Sequence, residues 1–563
     1  MEKAAKWWQK AVVYQVYPRS FYDSNGDGIG DLNGIYEKLD YLKDLGVTAL
    51  WLSPYNKSPN ADNGYDVSDY YDIMDEFGTM EDFDRLSEKA HRLGMKLIMD
   101  LVINHTSDEH PWFVESKKSK DSPKRDYYFW RAGKDGKEPS DARNMFGGSA
   151  WKYYDETGEY CYHLFTEKQF DLNWDNPAVP EEVVKICKFW IGKGIDGFRI
   201  DCANLLGKDT SFPSVGGGPD AILKRDKQIF NNPKAHGYYR YLNEQVFTPY
   251  DVPAFGECSQ VTLDEAAMFS DPARNEISGI IQFEHVKIDD GPNGEKWADV
   301  PFQPKKLKAS LSKWQTGLEG RGWNCLYLDN HDQPRLISRF GDDGKYRELS
   351  GKMFATMLLT LKGTPFIYQG SEIGMTNLNL SYDEIDDCEA KMAIEENKRT
   401  GALSDEAMLR AVNKRGRDNS RTPMQWSADK NAGFTTADKA WFKINSNYKE
   451  INVQESMARK DSLFHYYRRA IAMRMQDELF ALGSFRELLA DHPSAFVYER
   501  ILGSEKALIL LNLTGEECEI ECGELPVYAD AEVLISNYDA AAKVSEKMRL
   551  RPYEAIVLKK ADN

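Results

Sequence analysis

The chain has 563 residues, with 72 Lys and Arg against 90 Asp and Glu, for a net charge of −18. That length exceeds one simple domain, and that charge argues against a basic nucleic-acid surface. No apolar stretch approaches the ~20 residues that cross a membrane, and the opening MEKAAKWWQKAVVYQVYPRSF lacks the sustained apolar run of a secretory signal.

In chain order, eight short apolar runs stand out: AVVYQVYP (11–18), VTALWLSP (47–54), KLIMDLV (96–102), GFRIDCA (197–203), PAFGEC (253–258), IIQFEH (280–285), NCLYLDN (324–330) and PFIYQG (365–370). Each is β-branched or aromatic and mostly stops on Pro, Gly or a polar residue, the pattern of strands buried on both faces. Amphipathic stretches of helical length separate several of them. GIYEKLDYLKDLG (34–46) and MEDFDRLSEKAHRLG (80–94) both end on Gly, a helix stop. Strand and helix alternating eight times predict an α/β fold, a (β/α)8 barrel built from 1–105 and 173–481. The polar, aromatic stretch 106–172, with the charge run SKKSKDSPKRD (116–126) and FGGSAW (146–151), reads as a domain inserted after the third strand. AFVYER (495–500), KALILLNLT (506–514) and EAIVLKK (554–560) place an antiparallel β-sandwich at 482–563.

Barrels of this kind carry their active sites at the C-terminal ends of the strands. Asp201, Glu257 and Asp332 stand at or just after the ends of the fourth, fifth and seventh expected strands. A single Asp at a strand end is often only a helix cap or a turn residue. The set carries more weight. Arg199 precedes Asp201 by two, on the same face of the strand, His331 adjoins Asp332, and Asn104-His105 closes the third strand. Polar groups at matching strand ends are costly to bury unless they serve one another or a ligand. The three carboxylates look like the acid group of a retaining glycosidase. Such an enzyme needs an ionised carboxylate and a protonated one about 5–5.5 Å apart. Arg199 is expected to keep Asp201 ionised, and the apolar neighbours of Glu257 to raise its pKa.

DSNGDGIGD (23–31) places Asp23, Asn25 and Asp27 at alternate positions, then Gly28, Ile29 and Asp31, like the first nine positions of a calcium loop. Position twelve is Gly34 instead of Glu, so the Ile29 carbonyl and water would complete the shell around calcium or magnesium. An Asx-rich turn is the plainer alternative. The eight cysteines form no C-x-x-C pair, and Cys518 and Cys522 sit among glutamates with no His partner, which disfavours zinc. Scattered thiols without an export signal fit the cytoplasm.

The segments DLVINH (100–105), GFRID (197–201), FGE (255–257) and LDNHDQPR (328–335), with QFDLNW (169–174), TPFIYQGSEIGMTN (364–377) and RDNSRTPMQW (417–426), resemble glycoside hydrolase family 13, the α-amylase superfamily, and within it the oligo-1,6-glucosidase and α-glucosidase branch. The likeness runs from about Val13 to the C-terminus; Phe170 stands where that branch usually has Pro. The resemblance implies Asp201 as nucleophile, Glu257 as general acid/base and Asp332 as transition-state stabiliser, with His105, Arg199 and His331 touching the sugar. It implies that Asp62 and Arg417 close a pocket around a terminal glucose that stacks on Tyr65. Phe146 and Phe165 are further aromatic candidates for the pocket wall. Cys202, after the nucleophile, is neither the Val that accompanies α-1,6 activity nor the Thr that accompanies α-1,4. The expected partner is a short α-glucoside acted on by a monomer, with no nucleic acid and no membrane. A sucrose isomerase is the alternative, disfavoured because HVKIDDGPNGEKW (285–297) lacks the arginine pattern of those enzymes. A transglycosylase or phosphorylase stays open, and a non-catalytic subunit would be expected to have lost the carboxylates.

Overall fold

All eight expected runs form parallel strands: β1 Val13–Val16, β2 Ala49–Leu52, β3 Lys96–Leu101, β4 Gly197–Ile200, β5 Ala254–Cys258, β6 Gly279–Gln282, β7 Cys325–Leu326 and β8 Thr364–Tyr368. The computed structural model describes residues 5–146, 148–216, 221–292, 294–539 and 543–560. Gly147 of FGGSAW and Asn293 of HVKIDDGPNGEKW therefore lie outside the described residues. The strands pair in the order β6-β5-β4-β3-β2-β1-β8-β7, and a parallel bridge between Ile280 and Asn324 closes the ring. The N–H of Ile280 donates to the Trp323 carbonyl at 2.9 Å across that seam.

Alternate residues of each strand point to opposite faces. Val13, Ala49, Trp51, Ile98, Phe255, Ile281, Cys325 and Phe366 make one buried cluster, filling the barrel. Phe198 and Ile200 of β4 belong to the larger core, under the helices. These are α1 Leu32–Leu45, α2 Met80–Arg92, α3 Ala178–Gly192, α4 Lys234–Leu242, α5 Leu263–Ser270, α6 Pro304–Gly317, α7 Arg347–Thr360 and α8 Leu463–Gln476. Helix α1 stops at Gly46, whose φ of 98° suits glycine. Helices α2 and α5 start on capping boxes, Thr79 with Asp82 and Thr262 with Glu265.

Two long excursions rise above the strand ends. After β3 the chain builds an antiparallel sheet from Trp130–Ala132, Trp151–Tyr154 and Glu159–Tyr162, and pairs His105–Ser107 with Gln169–Asp171. Phe170 is buried and stacks on Phe113 with ring centroids 4.1 Å apart, so its ring packs the interior of this excursion. The second excursion joins β8 to α8 and carries the helices Cys388–Thr400 and Asp405–Arg415. This second excursion lies within the stretch 173–481 and contributes a wall of the pocket.

The C-terminal part comprises β9 Ser484–Glu487, β10 Ala495–Leu502, β11 Glu505–Asn512, β12 Cys518–Glu521, β13 Glu532–Ser536, β14 Lys547–Leu550 and β15 Ala555–Lys560. A five-stranded antiparallel sheet, β9-β10-β11-β15-β13, faces the pair β12-β14 across Val497, Leu508, Leu510, Ile520, Leu550 and Ile556. It is joined to the barrel at the end of α7. There Arg500 of β10 donates to the carbonyl of Thr360, beside Arg474 of α8, which donates to the carbonyls of Leu359 and Leu361 at 2.9 Å.

Candidate active site

The C-terminal ends of β3, β4 and β5 bring three carboxylates to one guanidinium. Arg199 Nη1 donates to Asp100 at 2.8 Å and to Asp201 at 2.9 Å, and Nη2 lies 2.7 Å from Glu257. Arg199 is fully buried, lying over Trp51 at 5.0 Å. One carboxylate oxygen of Asp201 and one of Glu257 lie within 4.8 Å of each other. That close approach is compatible with the ~5–5.5 Å between the carboxyl groups of a double-displacement pair.

The other half of the site comes from the loop after β7 and the second excursion. Asp332 accepts from Arg421 at 2.9 Å and from Arg417 at 3.3 Å, and His331 Nε2 stands 3.2 Å away. Arg417 also grips Asp387, at 2.8 Å through Nε and 2.5 Å through Nη2. A relay connects the halves. Gln15 donates to His331 Nδ1 at 2.8 Å, which leaves Nε2 to carry the proton. Nε2 donates to the Tyr65 hydroxyl at 2.6 Å, which donates to Asp100 at 2.9 Å. The Tyr65 ring is stacked on His331, with an interplanar angle of 9°.

Between the halves lies a cavity of about 380 Å³, lined by Asp62, Tyr65, His105, Phe146, Phe165, Asp201, Cys202, Glu257, Asp332 and Arg417 among others. Every expected lining residue therefore meets there except Arg199 and His331, which are fully buried behind the carboxylates. His105 Nε2 faces the Tyr65 carbonyl at 2.9 Å. Arg417 forms an ion pair with Asp62 at 3.7 Å, and Gln169 donates to Asp62 at 3.0 Å.

The two halves set opposite protonation tendencies. Burial pushes Asp201 up to about 6, against the opposing pull of Arg199, and pushes Glu257 up to about 7 for the same reason. Arg199 opposes the effect of burial on Asp201, but its one guanidinium is shared by three buried acids. Asp332 goes the other way. Burial works to raise it, but His331, Arg417 and Arg421 together hold it well below the usual carboxylate range. Asp387 is lowered to about 2, with burial outweighed by Arg417 and Arg421.

In the loop 23–31, Asp23 accepts N–H bonds from Asn25, Gly26 and Gly28 at 3.0, 2.7 and 2.7 Å. Asn25 accepts from Asp27 at 2.9 Å, and Asp27 from Ile29 at 2.8 Å. Asp31 caps α1, accepting from Gly34 at 2.6 Å, and also binds Ser24. The set of two carboxylates, an amide oxygen and the Ile29 carbonyl, with Asp31 beside them, fits a hard cation in kind. Among the described residues, the acidic, His and Cys groups that converge within 4.8 Å are Asp201, Cys202 and Glu257, and not this loop.

The α-amylase catalytic-domain family matches residues 15–483, and the SusG-type α-amylase C-terminal domain matches 495–557. The chain belongs to glycoside hydrolase family 13. It is 50% identical over 560 residues to an oligo-1,6-glucosidase of Bacillus cereus, covering 99% of this chain and 100% of that one. It superposes on a trehalose-6-phosphate hydrolase of Bacillus licheniformis and an isomaltulose synthase of Erwinia rhapontici, each 42% identical with a TM-score of 0.93, covering 99% of this chain and 100% of theirs.

Sequence reasoning missed Gln15, Asp100, Gln169, Asp387 and Arg421 as site residues. Asp100, Gln169 and Arg421 lie inside segments already singled out, so their position beside polar motif residues was a usable signal. Asp387 lies in no such segment.

Proposed function

We propose that this family member is a retaining, exo-acting α-glucosidase. It releases glucose from the non-reducing end of short α-glucosides, taking isomaltose-type α-1,6 bonds and also α-1,4 bonds. The observation that carries this reading is the blind end of the pocket. Asp62 and Arg417 lie beside each other in the cavity wall, with Asp387 gripped by Arg417 and buried behind it. In this reading these side chains stop a second sugar unit, so a terminal glucose fills the pocket. The likeness to the Bacillus cereus oligo-1,6-glucosidase supports the linkage class.

In this reading Asp201 attacks the anomeric carbon while Glu257 gives its proton to the departing oxygen. Water, deprotonated by Glu257, then frees the sugar from Asp201. Asp332, kept anionic by Arg417, Arg421 and His331, faces the positive charge that grows on the ring. Arg199 and His331 position the carboxylates from behind, and Tyr65, His105, Phe146 and Phe165 seat the sugar. Product analysis with isomaltose, maltose, sucrose and soluble starch tests the proposal. Glucose should be released from the two disaccharides without an early ladder of oligosaccharides from starch. Such a ladder would show the pocket to be open, and a β-anomer as first product would refute double displacement.

A sucrose isomerase is the second reading, favoured by the similarity to the isomaltulose synthase. It predicts isomaltulose or trehalulose from sucrose instead of monosaccharides. The absence of an arginine pattern in 285–297 supports hydrolysis.

We also propose that Asp23, Asn25, Asp27, the Ile29 carbonyl and Asp31 hold a structural calcium ion. We place the protein in the cytoplasm as a monomer. The free cysteines are in keeping with a reducing compartment.

A further inference from the structure

We propose that Lys208 is a positioning residue: acting through Asn104, it fixes His105 as a neutral ring with its proton on Nε2. Lys208 follows β4 and is buried, and the double displacement gives it nothing to do. Its ammonium has three N–H groups and meets three acceptors: Asn104 Oδ1 at 2.7 Å, the Leu205 carbonyl at 2.7 Å and Asp171 Oδ2 at 2.9 Å. An ammonium can only donate. The Asn104 atom that faces it is therefore the oxygen, which turns the amide nitrogen the other way. That nitrogen has two hydrogens and two partners, Asp171 Oδ2 at 3.2 Å and His105 Nδ1 at 3.0 Å. A donor aimed at Nδ1 requires a bare nitrogen there. His105 then carries its proton on Nε2 and donates to the Tyr65 carbonyl at 2.9 Å.

Reversing the Asn104 amide would change the charge of the ring. An oxygen would face Nδ1, both ring nitrogens would face acceptors, and the ring would hold two protons as imidazolium. Two nearby carboxylates favour that charge. Asp171 is the register partner of His105, and Asp62 stands one step along the network, held by Gln169 at 3.0 Å. Burial opposes the charge, as does Lys208, and together they keep His105 below the ordinary histidine range. With the proton on Nε2, the Gln169 nitrogen 3.2 Å away has no acceptor on the ring. Its two hydrogens go to Asp62 and, at 3.3 Å, to the Tyr65 carbonyl. A charged His105 would instead attract Asp62 away from the sugar. That last consequence rests on the proposed placing of Asp62 at the terminal glucose, while the position of the ring proton does not.

The test is imidazole 15N NMR of the full-length protein labelled at its nine histidines, with His105→Gln to assign the ring. In the parent protein His105 should be neutral, with a bare Nδ1, from pH 8 to pH 6. A proton on Nδ1 in that range would overturn the assignment. Lys208→Met combined with Asp171→Asn removes both buried charges together. The amide so placed at 171 keeps its oxygen on the Leu164 N–H, now bound at 2.6 Å, and turns a nitrogen toward Asn104, which must reverse. His105 should then be imidazolium at pH 6 and hold its proton at least about tenfold more tightly than in the parent. Asp171→Asn alone, which keeps Lys208 on Asn104, should leave the ring neutral. A neutral ring in the double variant would overturn the role of Lys208. If that variant fails to fold, Asn104→Asp sets an acceptor against Nδ1 with Lys208 still paired, and a ring that stays neutral there overturns the proposal. In the double variant KM for isomaltose and maltose should rise about fivefold at pH 6 and return toward the parent value at pH 9, with kcat little changed. A merely structural role for Lys208 would give no such pH dependence. A charged ring with unchanged KM would uphold the network and tell only against Asp62 at the terminal glucose.

Discussion

The two ends of the pocket hold similar residues in different proportions. At the strand ends, Asp100, Asp201 and Glu257 share one guanidinium. At the blind end, Asp332 and Asp387 sit between Arg417 and Arg421, with His331 at hand. All of these acids are buried except Asp332, which is half-buried, and burial alone would raise every carboxylate. It wins at the first end, where Asp201 reaches about 6 and Glu257 about 7. It loses at the second, where Asp387 falls to about 2. The ratio of guanidinium to carboxylate therefore decides which acids can exchange protons and which stay as fixed negative charge.

The sharpest way to break this contrast is to remove the exchanging acids. Asp201→Asn and Glu257→Gln should each lower turnover by roughly 10³–10⁵-fold with the fold intact by circular dichroism. Near-normal turnover in a folded variant would reassign the role.

A smaller loss is expected at the blind end. Asp62→Ala removes a carboxylate proposed to face the terminal glucose and takes one acceptor from Gln169. The cost should be about 1–3 kcal/mol, roughly 5- to 150-fold in kcat/KM, for every substrate alike. A loss confined to one linkage would place Asp62 at the leaving group instead.

The pH profile sharpens the comparison further. Reaction requires Asp201 charged and Glu257 protonated, so kcat/KM should fall below about 6 and above about 7. Arg199→Lys, which leaves a weaker shared cation, should move both limbs upward. A broad plateau from pH 4 to 9, outside both values, would contradict the shared-guanidinium account.

The same shift has a stability consequence. Glu257 titrates near 7 when folded against an ordinary 4.5, so the folded protein binds more protons than the unfolded one between those values. Stability from this group is therefore lost as pH rises through that window. Glu257→Gln should unfold later in urea than the parent at pH 8, by on the order of 1–3 kcal/mol, and should match it at pH 4. An equal gain at both pH values would point to packing instead of charge. The smallest effect is expected far from the pocket: chelation should lower the melting temperature by a few degrees without changing the pH limbs. Unchanged melting and no metal by elemental analysis would leave 23–31 as a turn.

Much of this was legible in the chain. The eight barrel strands could be read because strands buried on both faces must be short apolar runs. Arg199 and Asp201 could be placed together because side chains two apart share a face of a strand. Asp201, Glu257 and Asp332 could be grouped because parallel strands in a closed barrel deliver their ends to one rim. What could not be read was how many partners each charge would have. Arg417 and Arg421, with Asp387 behind them, reach Asp332 from an excursion some ninety residues long, whose path across the pocket no local pattern specifies. Gln169 takes Asp62 because the strand Gln169–Asp171 pairs with His105–Ser107, a non-local register. The sequence determined which acids exist and which strand ends carry them. The tertiary structure alone decided which of them share a cation, and in a buried site that sharing fixes whether a carboxylate holds its proton.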